Sequence, residues 1–152
     1  MLKRFAVLLT ASLMAAPAFA GALMLDVGAA TNNPEALRQN AVFVARTGAC
    51  KSPEKTIVTA TAEGVIAGKR QTIPLRVTSL AEPGAYAVSQ QWPHEGTWAV
   101  KIVATNPDYG DYSTGIVVPV RNEQFSRAAA KQFSHAPTAG EADAVLKQAT
   151  LD

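Results

Sequence analysis

The 152-residue chain has one cysteine, Cys50, and two histidines, His94 and His135. A single thiol excludes an intramolecular disulfide, so the fold must hold by packing alone. A closed zinc site needs four N or S ligands in short paired spacings, and a copper site needs convergent His, Cys or Met. No C-x-x-C, H-x-H or H-x-x-x-H occurs here. A G-x-S-x-G elbow, a phosphate loop and an H-E-x-x-H helix are also missing. The expectation is a chain without catalytic residues, bound metal or cofactor.

Charge of one sign is lacking too. The chain has 14 Lys and Arg against 12 Asp and Glu, and Lys3 and Arg4 make up the difference. The two signs are interspersed, so no basic stripe points to nucleic acid. Long apolar runs are confined to the N-terminus, where Lys3-Arg4 precede "FAVLLTASLMAA" and then Ala18-Phe19-Ala20. That run of about 12 residues is shorter than the roughly 20 needed to span a bilayer, and the small residues fit a signal-peptidase site after Ala20. Residues 1–20 are therefore expected to be a signal peptide, with a retained anchor as the alternative. The mature chain is expected in the periplasm or outside the cell, with no transmembrane segment.

From 21 to 121 the apolar period is mostly two, which predicts a mainly β domain. Seven strands are expected. The first holds Leu23, Leu25 and Val27, and the second is "NAVFVART". The third is "KTIVTATAEGV", which "AGKR" turns into the fourth, "RQTIPLRVTS". The remaining three begin at "EPGAYAV", "GTWAVKIVA" and "DYSTGIVVPV". Pro74 and Pro119 lack an amide donor, which suggests sheet edges or bulges. Seven short strands in about 100 residues suit an immunoglobulin-like β-sandwich. After Arg121 the spacing of Phe125, Ala128, Ala129, Gln132 and Phe133 is helical, with Asn122 as a cap. Thr138 and Glu141 have capping-box spacing ahead of a narrow stripe of Ala142, Val145, Leu146 and Ala149. Residues 122–152 are thus expected to form a helical tail whose second helix docks loosely or is partly disordered.

The aromatic residues are expected to be structural. Leu80, Pro83, Gly84 and Tyr86 have the spacing of a tyrosine corner, in which the hydroxyl bonds back to the backbone upstream. In "YAVSQQWPHEGTWAVKIVA", Trp92 and Trp98 flank a Pro-x-x-Gly turn and read as core residues of a hairpin. The pattern "PGAYAV … W-P-x-E-G-x-W-x-V" resembles bacterial extracytoplasmic immunoglobulin-like domains of the YtkA/FixH kind. This resemblance covers about residues 64–104. It implies a small secreted or tethered module and carries no functional residue with it.

Three loops remain as candidate interaction sites: "PHEG" with His94 and Glu95, "NPDYGDY" with Asp108, Tyr109 and Asp111, and "TGACKSP" with Cys50. Cys50 is expected either to be buried and inert or to be available to a partner. The leading expectation is an exported, noncatalytic module that binds or braces another envelope protein. The alternative is a copper or thiol-redox accessory protein using Cys50 and His94, with Met24 as a further ligand.

Overall fold

The computed structural model describes residues 22–49 and 51–151. The expected signal segment, Cys50 and the side chain of Ala149 lie outside the described residues. Period-two segments pair into two antiparallel sheets that face each other as a sandwich. One sheet has the order β1 (Met24–Ala29), β2 (Ala41–Gly48), β6 (Ala85–Ser89), β5 (Val77–Ser79). The other runs β10 (Lys131–Phe133), β8 (Ser113–Arg121), β7 (Thr97–Thr105), β3 (Ile57–Ile66), β4 (Lys69–Leu75), and β9 (Gln124–Phe125) also pairs with β8.

Alternation supplies the core, because every second side chain of a strand points inward. Leu25 and Val27 of β1, Phe43 and Ala45 of β2 and Val88 of β6 meet Ala60 and Ala62 of β3. Trp98, Val100, Ile102 and Ala104 of β7 and Ile116, Val118 and Val120 of β8 complete the same cluster. Trp98 packs directly over its cross-strand neighbour Gly64, where a Cβ would lie 2.6 Å from the indole ring. Its Nε1 donates to the Glu95 carbonyl at 3.1 Å. The indole thus needs a glycine beneath it and a carbonyl beside it.

Both outer faces are covered. The short helix α1 (Pro34–Arg38) is capped by the Asn33 side chain, which accepts from the Ala36 amide at 3.0 Å, and Asn40 leaves it with a left-handed φ of 53°. Ala36 then packs with Ala41, Val44, Leu80 and Ala87 on the outside of the four-stranded sheet. Helix α2 (Ala139–Leu151) lies across β7 and β8, placing Ala142 and Val145 on Ala99 and Val117. Its capping box forms as the spacing predicted: Thr138 N–H donates to Glu141 at 2.8 Å, and Glu141 N–H donates to Thr138 Oγ1 at 3.3 Å. Beneath the helix, Ala142 and Val145 are buried. Small residues on both sides let the helix axis approach the sheet closely.

Several expectations are corrected. The predicted fourth strand breaks at Arg76, where the chain leaves β4 in one sheet and enters β5 in the other. Pro74 does lie on an edge strand, but Pro119 lies within β8, which is paired on both sides. The missing donor is tolerated because β10 pairs only as far as Val117 and β9 resumes at Val120, leaving a gap opposite Pro119.

The segment around Trp92 and Trp98 is not a hairpin. β6 and β7 belong to different sheets, so residues 90–96 cross the end of the sandwich. Both tryptophans are nevertheless core residues, with Trp92 stacked on Phe43 at a centroid distance of 6.3 Å.

The first tail helix is also absent. Asn122 and Glu123 adopt φ of 45° and 66°, which turns the chain back onto β8 as a tight hairpin. Residues 124–133 become β9, a single 3-10 turn and β10. Phe125 meets Phe43 edge-on at 4.7 Å, so burial against the sheet overrides the helical spacing.

Two stability outcomes follow from this packing. Gly64→Ala should destabilise the domain by about 2 kcal/mol or more, because strand pairing prevents the indole from moving away. At the β3–β4 turn, Ala67 and Gly68 have φ of 49° and 74°, and alanine is disfavoured there. Ala67→Asn should stabilise by about 1 kcal/mol. Urea unfolding monitored by tryptophan fluorescence checks both.

Candidate functional site

Strand direction brings two of the three candidate loops together. β2 ends at Gly48, β3 begins at Ile57 opposite Thr105, and β8 begins at Ser113 opposite the same residue. Residues 51–56 and 106–112 therefore share one end of the sandwich. Asn106, which is 1% exposed, joins them. Its Nδ2 donates to the Ser52 carbonyl at 2.9 Å and to Thr56 Oγ1 at 3.1 Å, while its Oδ1 accepts from the Asp108 amide at 3.0 Å. One amide side chain thereby satisfies backbone groups of both loops.

Three further contacts brace this end. Lys51 N–H donates to the Tyr109 hydroxyl at 3.1 Å, and Lys55 Nζ lies 3.2 Å from Asp108. The Ser52 hydroxyl, and after it Lys55, holds the Asp108 carboxyl below its ordinary value. The Tyr86 hydroxyl donates to the Thr56 carbonyl at 3.1 Å. The tyrosine-corner expectation is met in residue type, with Gly84 at a φ of 77°, but the bond reaches across the sandwich to the start of β3 instead of into its own corner. Tyr86 thus ties β6 of one sheet to β3 of the other. Around these braced residues, Asp111, Tyr112 and Met24 remain exposed, with Met24 opposite Gly48 in the β1–β2 ladder.

The third loop sits at the opposite end. His94 is exposed and contacts Glu123 of the β8–β9 turn and Gln90, while Glu95 contributes its carbonyl to Trp98. The nine residues of β7 separate Thr97, beside this loop, from Thr105 at the braced end, a span of roughly 25 Å. The described residues Ala49 and Lys51 are at the braced end, opposite the end that carries His94. Among the described residues, no group of three His, Cys, Asp or Glu side chains is arranged to hold a metal ion.

Two residues that the sequence reading passed over have structural prominence. Asn106 precedes a proline, a common turn signal, but nothing local shows that its side chain is buried. Glu63 is a lone acid inside an apolar strand and is 4% exposed between Arg70 and Lys101. Asn106→Ala should cost about 1–3 kcal/mol, because the Ser52 carbonyl and the Asp108 amide lose their buried partner. Urea unfolding measures the cost, and faster amide exchange confined to residues 51–56 and 107–112 would show that the loss is felt at this end.

No protein-family model matches the chain, and comparison with curated proteins finds no match.

Proposed function

We propose that the protein is an exported, noncatalytic immunoglobulin-like module that binds another envelope protein through its braced loop end. The observation that carries this reading is the cross-linked pair of loops around Asn106, which presents Asp111, Tyr112 and Met24 on a pre-formed surface. Rigid loops on a sandwich end lose little freedom on association, so more of the contact energy appears as affinity. The strand order also favours it: β1-β2-β6-β5 facing β8-β7-β3-β4 is the order of immunoglobulin sandwiches, whose recognition loops cluster at an end. That order is compatible with the resemblance to extracytoplasmic domains of the YtkA/FixH kind, and the apolar N-terminal segment with export.

A photo-reactive phenylalanine analogue placed at Asp111 in native cells should cross-link one discrete envelope protein, and the same analogue at His94 should not. Cross-linking from position 94 alone, or from neither position, would remove the basis for this assignment. Cys50→Ser should leave the cross-link unchanged. Its loss in that variant would favour a thiol-dependent role.

A further inference from the structure

The braced end also holds a cleft that the loop contacts leave open. Its volume is about 270 Å³, and it runs between the single turn at Pro53–Lys55 and the corner that leads into β6. Pro53 and Glu54 form one wall, and Leu80, Pro83 and Gly84 form the other. Tyr86 spans them, since its hydroxyl reaches the Thr56 carbonyl. Both walls are held from behind. The Ser52 carbonyl, on a residue with a left-handed φ of 42°, accepts from Lys55 N–H at 2.9 Å and from Asn106 Nδ2 at 2.9 Å. Across the cleft, Leu80 N–H donates to the Ala85 carbonyl at 2.9 Å, and Thr47 N–H donates to the Gly84 carbonyl at 2.8 Å. Gly84 lies so close to β2 that a Cβ would stand 2.9 Å from the Thr47 carbonyl oxygen. The cleft is therefore pre-formed, and an occupant need not order it.

Its walls and its charge together say what fits. Pro53, Leu80, Pro83 and Tyr86 present apolar surface, while the charges around them are unbalanced. Glu54 is exposed in the cleft, and among the described residues its carboxylate has neither a hydrogen-bond nor an ion-pair partner. The adjacent Lys55 is turned to Asp108. On the corner side, Glu82 pairs with Arg46 at 3.4 Å, and Glu35 accepts from Ala81 N–H at 3.1 Å. Three carboxylates thus stand around the cleft against one cation, Arg46, and the one inside it is unpaired. Pockets for small molecules begin at about 300 Å³, so this volume suits one side chain better than a cofactor. Arginine and lysine have the required form, an apolar stem carrying a charged head.

Resting on the reading of the braced end as a protein-binding surface, we propose that this cleft is a socket for one basic side chain of the partner, whose stem lies along Pro53, Pro83 and Tyr86 and whose charge meets Glu54. A neutral side chain leaves Glu54 unpaired, and an acidic one is repelled by it. An ion pair open to water contributes up to about fivefold in affinity, so the socket selects among partners more than it adds binding strength.

The test is a titration of the isotope-labelled exported protein with capped tripeptides, followed by amide NMR. The probes are acetyl-Ala-Arg-Ala-amide and the same peptide with citrulline or glutamate in place of arginine. The arginine peptide should shift the signals of Glu54, Leu80, Gly84 and Tyr86 with millimolar affinity, and the other two should bind about threefold more weakly or worse. Glu54→Gln should reduce the arginine peptide to the level of the citrulline one, and Glu95→Gln at the opposite end should change nothing. Equal binding of the citrulline peptide, shifts centred elsewhere, or no shift up to about 20 mM peptide would overturn the proposal, as would an arginine response that survives Glu54→Gln. In cells, Glu54→Lys should weaken the cross-link from position 111 by about fivefold or more. A cross-link that forms and persists in Glu54→Lys removes the socket and leaves the binding surface standing. Its absence without that substitution removes the surface, and the peptide titration then decides the cleft alone.

Discussion

The seat of Trp98 on Gly64 is the contact on which the rest of the sandwich depends. No disulfide can link the two sheets, so their separation is set by the side chains between them. Trp98 is the largest fully buried side chain, and it fits only because the paired position on β3 has no Cβ. Its indole nitrogen would be costly to bury unpaired, and the Glu95 carbonyl removes that cost. The crossing segment 90–96 is held by the same bond, which fixes where β7 starts and therefore the register of β3 and β8 on either side. Phe43, stacked on Trp92 and meeting Phe125 edge-on, extends the aromatic packing to the opposite sheet and to the β9 hairpin.

Closing the outer faces requires a different chemistry. α1 and α2 both rest on alanine-rich patches, where close approach compensates for small side chains. The six-stranded sheet also carries a buried carboxylate on that outer face. A lone buried carboxylate is strongly unfavourable, but Glu63 has Arg70 on one oxygen and Lys101 on the other. Because Arg70 also reaches Asp143, neutralising the sheet's own charge and attaching the helix are one arrangement.

The two ends of the sandwich are built unlike each other. At one end Asn106, Tyr86, Tyr109 and the Lys55–Asp108 pair connect loops from both halves of the chain. At the other, the His94 side chain is exposed and contacts Gln90 and Glu123 of the neighbouring β8–β9 turn, while the Glu95 carbonyl accepts from Trp98. A surface that must present fixed side chains is better served by the first. Chain direction also brings Met24, near the N-terminal limit of the described residues, to that braced end.

Local patterning was enough for elements whose shape is set by neighbours in sequence. The alternation of Leu23, Leu25 and Val27, the β3–β4 turn and the capping box of Thr138 and Glu141 were legible because each rests on residues within a few positions. Four features were decided by contacts remote in sequence. Residues 124–133 have helical spacing but become strands, because β8 offers an open edge and Phe43 a ring to pack against. The predicted fourth strand divides at Arg76 because two sheets compete for its halves. Tyr86 bonds to a carbonyl thirty positions upstream, since the sandwich brings β3 to β6. Asn106 and the separation of His94 from the braced end were invisible for the same reason. Sequence alone determined which residues are apolar, where the chain turns and that no disulfide can close it. Only the tertiary structure decided which loops meet, because the register of nonadjacent strands determines which loops share an end of the sandwich.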